Sequence, residues 1–415
     1  SKKIDLFVLH NVISDVYNSV VTVLSGLAWT HVPLATKDFY KYWWDQELST
    51  LKEESVVAHN ALKSAGKPNS GDLCEAKRVT KSRYRKSIRE HKTTQGIEFN
   101  NNLHEALLKK DPTSFWKSWS SKFNKSKRLP KIIDGQSDPV KIANRFGEYF
   151  AKVCSCNSSH NSSNFLKLFE SQIQSYSGDE FNSSFLCTVE LVDKVVDKLK
   201  RGKAAGLDGL TIEHIKNCHP VIITILTKLF NLMLVTGYVP VEFGFGVSVP
   251  IPKERSSVNC SDYRCISISP VISKIFEKCI ADSLQRYLCS SDHQLGFKQK
   301  SGCVHAIYAV RKTVEYYVSN GSTVNICTLD ISKAFDKVNN HCLLLKLMKR
   351  RLPIQFIYLF NRWFSNAFIK VRWGNHLSMF FRLVSGVRQG GILSPVFFNI
   401  YIDCVIDKIT GLDIG

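Results

Sequence analysis

The sequence predicts an α+β chain in which helices back an antiparallel sheet, and three observations predict it. Period-two alternation is confined to short runs at residues 247–252, 323–329, 368–373 and 377–384, the last two joined as a hairpin through Gly374, Asn375 and His376. Most of the remaining sequence repeats apolar residues at helical spacing. With 415 residues, 44% of them hydrophobic, the chain has material for two or three packed domains and is not a disordered polymer.

Lys plus Arg number 56 against 36 Asp plus Glu, a formal charge of +20, which points to a polyanionic partner. Nucleic acid comes first. An acidic membrane surface comes second, because no apolar run is long enough to span a bilayer and no amphipathic helix is unusually basic on one side. The opening residues 4–28 are apolar, but Asp5, Asn11, Asp15 and Asn18 interrupt them at helical spacing and predict a packed amphipathic helix. No secretory processing pattern precedes that helix, so an intracellular protein is expected. Thirteen cysteines are scattered singly and predict reduced, mostly buried thiols; Cys154, Cys156 and His160 lack a fourth ligand for zinc.

Residues 42–105 are charged and helical. From Lys77 to Lys92 nearly unrelieved positive charge surrounds Tyr84, which favours phosphate contact by Lys81, Arg83, Arg85 and Arg89 over an ordinary solvated face. Phe115, Trp116 and Trp119 have the spacing of a helix face packed into a core, with base stacking as the alternative. A Ser/Asn-rich stretch follows. The expected organisation is thus a basic helical region at 1–154, a linker at 155–187 and a further domain at 188–415.

Thr188 caps a helix with Leu191, Val192, Val195, Val196 and Leu199 on one face, and a glycine-containing loop, KAAGLDG, comes next. Lys203 in that loop can meet a phosphate, or the glycines can simply make a turn. An apolar helix over 221–236 stops at Gly237 and Pro240. The strand at 247–252 is closed by two prolines and followed by Lys253.

Residues 323–336, TVNICTLDISKAFD, are the centre of the chain. Alternation through Val324, Ile326 and Thr328 places Asp330 where a strand ends, a rim position from which a carboxylate can hold a hard cation with the Ile331 carbonyl beside it. The plainer reading is a solvated Asp with a helix cap at Ser332. In residues 385–403, SGVRQGGILSPVFFNIYID, three glycines permit close backbone approach, Arg388 and Gln389 supply donors, and Ser394-Pro395 opens an apolar helix.

LDISKAFD and GVRQGGILSP, in this order and spacing, resemble the palm motifs of reverse transcriptases, in the form used by non-LTR, LINE-type, jockey-like retrotransposons. GVSVPIPK with DYRCISI resembles the family's fingers hairpin, QLGFK its next motif, and the layout upstream of 155 the region between endonuclease and polymerase. The resemblance implies a right-hand polymerase fold, fingers and a partial palm, acting as an RNA-directed DNA polymerase by two-metal phosphoryl transfer to a primer 3′-hydroxyl with Mg²⁺ or Mn²⁺. Implied partners are an RNA template, a DNA primer and deoxynucleoside triphosphates, in an intracellular ribonucleoprotein of the nucleus or cytoplasm. By resemblance Asp330 and Ile331 ligate metal, and Phe335 lies beneath the sugar. Lys253 and Arg264 hold the triphosphate, while Arg388, Gln389 and Gly390 line the nascent pair. Asp336 is expected to be a cap or surface carboxylate. The family has Pro where this chain has Cys265, and its pair of adjacent aspartates has no counterpart, since no Asp-Asp dipeptide occurs in the sequence. A catalytically dead nucleic-acid-binding remnant is therefore the main alternative, and a maturase-like splicing helper a weaker one.

Overall fold

The computed structural model describes residues 6–32, 44–123, 130, 132–155, 160–254, 257–298 and 300–410. The chain divides into two compact units, residues 1–31 with 130–415, and residues 32–129. The expected boundaries at 154 and 187 do not coincide with them.

Helix α1 (Leu6–His31) belongs to the larger unit because Ile13, Tyr17 and Leu24 are buried in its core. Its polar positions are used as well. Ser14 Oγ lies 2.8 Å from the Tyr238 hydroxyl, and the His10 ring stacks on Tyr238 at 4.2 Å. By length and apolarity alone α1 is sufficient to cross a bilayer, contrary to the expectation that no run is long enough.

The smaller unit holds α2 (Gln46–Ser64), α3 (Asp72–Leu108) and α4 (Pro112–Phe123). Asp45 caps α2 by accepting from the Leu48 amide at 2.8 Å, and its other oxygen meets His91 Nε2 of α3 at 2.8 Å. The Ser87 carbonyl and Asp45 raise the His91 pKa, and the Leu48 amide and His91 lower that of Asp45. A raised histidine stabilises below its unfolded pKa and loses that contribution as pH rises through the folded value; a lowered carboxylate loses its own as pH falls. The α2–α3 tie should therefore be tightest between about pH 4 and 6.5, which NMR titration of the His91 ring will check by an apparent pKa above that of a free histidine.

The larger unit continues with α5 (Pro139–Ser155) and α6 (His160–Ile173). Helix α6 and the buried Phe169, Phe185 and Cys187 occupy the expected linker, whose apolar residues outweigh its Ser/Asn content once neighbours cover them. Then come α7 (Val189–Lys198), capped by Thr188 as expected, α8 (Ile212–Lys216) and α9 (Val221–Thr236), ended at Gly237. Strands β1 (Phe245–Pro252) and β2 (Tyr263–Ile268) form the antiparallel hairpin that pairs Ile251 with Arg264. They are followed by α10 (Val271–Ser283), α11 (Cys303–Ser319), α12 (Asn340–Lys349) and α13 (Ile354–Ser365). The chain closes with β3 (Phe368–Trp373), β4 (His376–Leu377), β5 (Phe381–Arg382) and α14 (Ser394–Thr410).

The sheet runs β2-β1-β3-β4 with β5 also on β3, and β1 pairs parallel to β3 over residues 245–248. It is mixed, not purely antiparallel. Pro250 and Pro252 fall beyond the stretch that β3 pairs, where a missing amide costs no ladder bond on that side. One core joins α1, α7, α9, α10, α12, α13 and α14; a second packs Phe146 of α5 against Tyr263 and Trp373 of the sheet. Of the twelve described cysteines, four are buried and four exposed, so burial is less general than expected.

The largest departure concerns residues 323–332, which form no strand and make no backbone hydrogen bond among the described residues. Ile326, Leu329 and Ile331 are exposed, Leu329 to 85%. Alternating sequence is not enough for a strand: its amides and carbonyls need a neighbouring strand, and none of the five described ones supplies it.

Candidate functional site

The β1–β2 hairpin, α5 and two loops enclose a cleft of about 160 Å³. Lys253 and Arg264 come from the hairpin, Tyr149 from α5, Lys333 and Asp336 from the turn after residue 332, and Gln389 from the glycine-containing loop. Register fixes the hairpin's contribution. Lys253 donates its amide to the Asp262 carbonyl at 2.8 Å and its Nζ to the Ser261 carbonyl at 3.0 Å, while Arg264 is exposed opposite Ile251.

The loop is locked against its surroundings. The amides of Gly386 and Val387 donate to the carbonyls of Val338 and Phe335 at 2.7 and 2.8 Å. The Ser267 amide of β2 donates to the Gln389 carbonyl at 2.7 Å. Gly390 sits at φ 123°, and a Cβ there would lie 2.4 Å from the Ser267 carbonyl oxygen. Glu277, buried in α10, accepts from the amides of Ile392 and Leu393 at 2.6 and 3.0 Å, and burial pushes its pKa up.

Within the cleft, Gln389 Nε2 donates to Asp336 Oδ1 at 2.9 Å. Burial raises the Asp336 pKa, against the opposing effects of Gln389 and Lys333. Lys333, held at φ 56°, sends its Nζ to the Tyr149 hydroxyl at 3.1 Å. Lys253, Arg264 and Lys333 thus line the cleft with a single carboxylate, Asp336, an arrangement able to take a polyphosphate. Cys265 also lines the cleft. Its thiol is 2.6 Å from Ser248 Oγ, and burial pushes its pKa up to about 12, which leaves it an uncharged packing group.

Other expected residues lie elsewhere. Arg388 turns inward and donates to the carbonyls of Phe243 and Gly244; burial lowers its pKa to about 10, still charged at neutral pH. It braces the loop from behind and does not line the cleft. Phe335 stacks on Phe398 at 5.0 Å and meets the edge of Phe297 at 5.6 Å, half-buried beside the cleft wall. Gly390 is exposed at the loop tip, and Lys203 is exposed in its own loop. Gln294 and the Gly296 carbonyl are both tied to Asn399 of α14, at 3.0 and 2.9 Å.

Asp330 and Ile331 lie on the exposed segment and are not among the cleft's walls. Asp330 is a single carboxylate. Among the described residues no group of three His, Cys, Asp or Glu includes it; the one such group, Asp45, Glu47 and His91, is in the smaller unit, where Asp45 caps α2 and meets His91. The described side chains therefore do not by themselves make a two-cation centre. Sequence reasoning misses Tyr149 and Lys333 and takes Asp336 for a surface or cap group. Lys333 and Asp336 stand inside the LDISKAFD motif, whereas nothing local marks Tyr149, which arrives only through the packing of α5.

Residues 251–412 match the family profile described as "Reverse transcriptase (RNA-dependent DNA polymerase)". The chain is 28% identical over 222 residues to the RNA-directed DNA polymerase from mobile element jockey of Drosophila funebris, covering 52% of this chain and 24% of that protein. It is 27% identical over 215 residues to the probable RNA-directed DNA polymerase from transposon X-element of Drosophila melanogaster, covering 51% and 24%. To the retrovirus-related Pol polyprotein from type-1 retrotransposable element R2 of Nasonia vitripennis it is 26% identical over 219 residues, 52% and 21%. The chain spans about a quarter of the length of such relatives. Residues 251–412, which supply Lys253, Arg264, Lys333, Asp336 and Gln389 of the cleft, are thus similar to a reverse transcriptase domain, of the kind carried by these retrotransposon proteins.

Proposed function

We propose that this chain supplies the fingers and part of the palm of an RNA-directed DNA polymerase, copying an RNA template from a DNA primer in an intracellular ribonucleoprotein. The observation that carries this reading is the convergence of Lys253, Arg264 and Gln389 on one cationic cleft. Lys253 and Arg264 bind the triphosphate of an incoming deoxynucleotide, and Gln389 lies against the forming base pair with Gly390 at the loop tip. Phe335 limits the space beside the sugar from its seat on Phe398. Reverse transcriptases use divalent cations; Mg²⁺ or Mn²⁺ would supply charge neutralisation at the phosphates, and Asp330 with the Ile331 carbonyl is this chain's share of the ligands.

Primer extension on an RNA template tests the reading. Residues 1–415 should bind template and primer without extending, and the same residues joined to a hairpin with adjacent aspartates should extend. Robust extension by the 415-residue chain sinks the metal assignment, and a longer chain that binds but never extends is a non-catalytic remnant. In the active form, Arg264→Ala should raise KM about tenfold for all four nucleotides alike, the cost of one charge-assisted contact. Selective loss of one nucleotide would mean that Arg264 reads a base.

A further inference from the structure

We propose that the smaller unit binds single-stranded nucleic acid along one face of α3, with bases stacking on the aromatic residues of α4. The proposal concerns residues outside the 251–412 match and does not rest on the polymerase reading.

Two observations carry it. The first is registry. Arg78, Lys81, Arg85, Arg89 and Lys92 follow one another by three or four residues, so they form a single stripe on α3 about 21 Å long. All five are exposed. Other basic residues of the run lie off that stripe: Arg83 faces Glu54 of α2 at 3.9 Å and Lys86 faces Glu90 at 3.9 Å. Within the stripe, Arg78 at its start is engaged by Glu75 at 2.8 Å. A row of cations spaced by one helical turn suits successive phosphates of one strand.

The second observation departs from the expectation that the aromatic residues of α4 are core: Phe115 is half-buried, but both tryptophans are exposed. Trp116 is 60% and Trp119 41% exposed. Phe115 stacks on Trp119 at 6.0 Å and meets Trp116 edge-on at 5.3 Å, so a half-buried Phe115 supports two indole rings that remain partly exposed. The stripe leads to them. Continuing from Lys92 by the same three- and four-residue steps reaches Gly96, Phe99, Leu103 and Ala106, which are the less exposed positions of that half of α3, where α4 packs. The basic row and the aromatic helix therefore lie on the same side of α3, in sequence along it. Large exposed aromatic rings next to a phosphate-spaced cation row are the composition of a single-strand platform, because unpaired bases offer faces that a duplex hides.

Fluorescence anisotropy of the whole 415-residue chain tests this, with a labelled unstructured 20-nucleotide RNA, the DNA of the same sequence and the RNA duplex, between about 50 and 200 mM salt. Arg85→Ala with Arg89→Ala should make the slope of log K against log salt shallower by about 1.4 on single strands, whereas Arg83→Ala with Lys86→Ala should leave it unchanged. Trp116→Ala should weaken both single strands about 5- to 150-fold without altering the slope, and Trp116→Tyr should restore most of the loss. All these positions are exposed, and circular dichroism will confirm that helix content is kept. Equal slope changes for the two pairs overturn the stripe. A Trp116→Ala variant that binds single strands normally, or loses the duplex as severely, overturns the platform.

Discussion

In a chain that joins residues 1–415 to adjacent aspartates and extends a primer, Asp330→Asn is expected to slow extension by at least ~10² to 10³-fold. That is the range for losing one preorganised charge-stabilising group; in the proposed role of Asp330 as a ligand shared by two cations it acts as part of a unit, so the loss should be larger still. Asp336→Asn is the internal comparison. The amide oxygen can still accept from Gln389. Its effect should stay within about tenfold, the value of one adjusted hydrogen bond. Single-turnover extension with preformed template-primer measures both. If Asp336→Asn is the crippling change and Asp330→Asn the mild one, the cleft carboxylate is the ligand and the assignment reverses.

Gly390→Ala should cost the fold about 3 kcal/mol or more, through strain at a positive φ added to a collision. The colliding atom cannot step aside. The Ser267 carbonyl belongs to β2, which is paired with Ser248 of β1, and the Ser267 amide is bound to the Gln389 carbonyl. Gly246→Ala is the matched control, because its added carbon meets nothing closer than 3.7 Å and its backbone is ordinary. Urea unfolding should show a clear drop in midpoint for the first and a change under about 1 kcal/mol for the second. Equal midpoints would mean that the loop is free to shift off β2.

How legible each feature is in the sequence follows from how local its signal is. The Thr188 cap, the Gly237 stop, the proline-closed strand and the hairpin turn at Gly374 depend on residues next to one another, and each is found where those residues place it. The cleft is half legible: Lys253, Arg264 and Gln389 announce themselves by motif, but Tyr149 reaches them by the packing of a distant helix. Arg388 has the sequence setting of a donor for a ligand because its neighbours are glycines; its length instead lets it turn back to two carbonyls behind the loop. Trp116 and Trp119 depart from expectation because helical spacing cannot say which side of a helix is covered. The strand expected at 323–329 fails to form because alternation describes one strand and pairing requires two.

In the proposed role of Asp330 as a metal ligand, that unpaired stretch decides how it meets a cation. A carboxylate on a backbone without ladder bonds samples many positions, and fixing one residue costs roughly 1 to 2 kcal/mol of conformational entropy. Holding even three residues around Asp330 is then comparable to the whole gain from a millimolar ligand, about 4 kcal/mol. Metal affinity at this position is accordingly set less by the charge of the aspartate than by whatever orders residues 323–332, so ion binding and strand formation should titrate together, with the amides of this stretch slowing their exchange with solvent in step with occupancy.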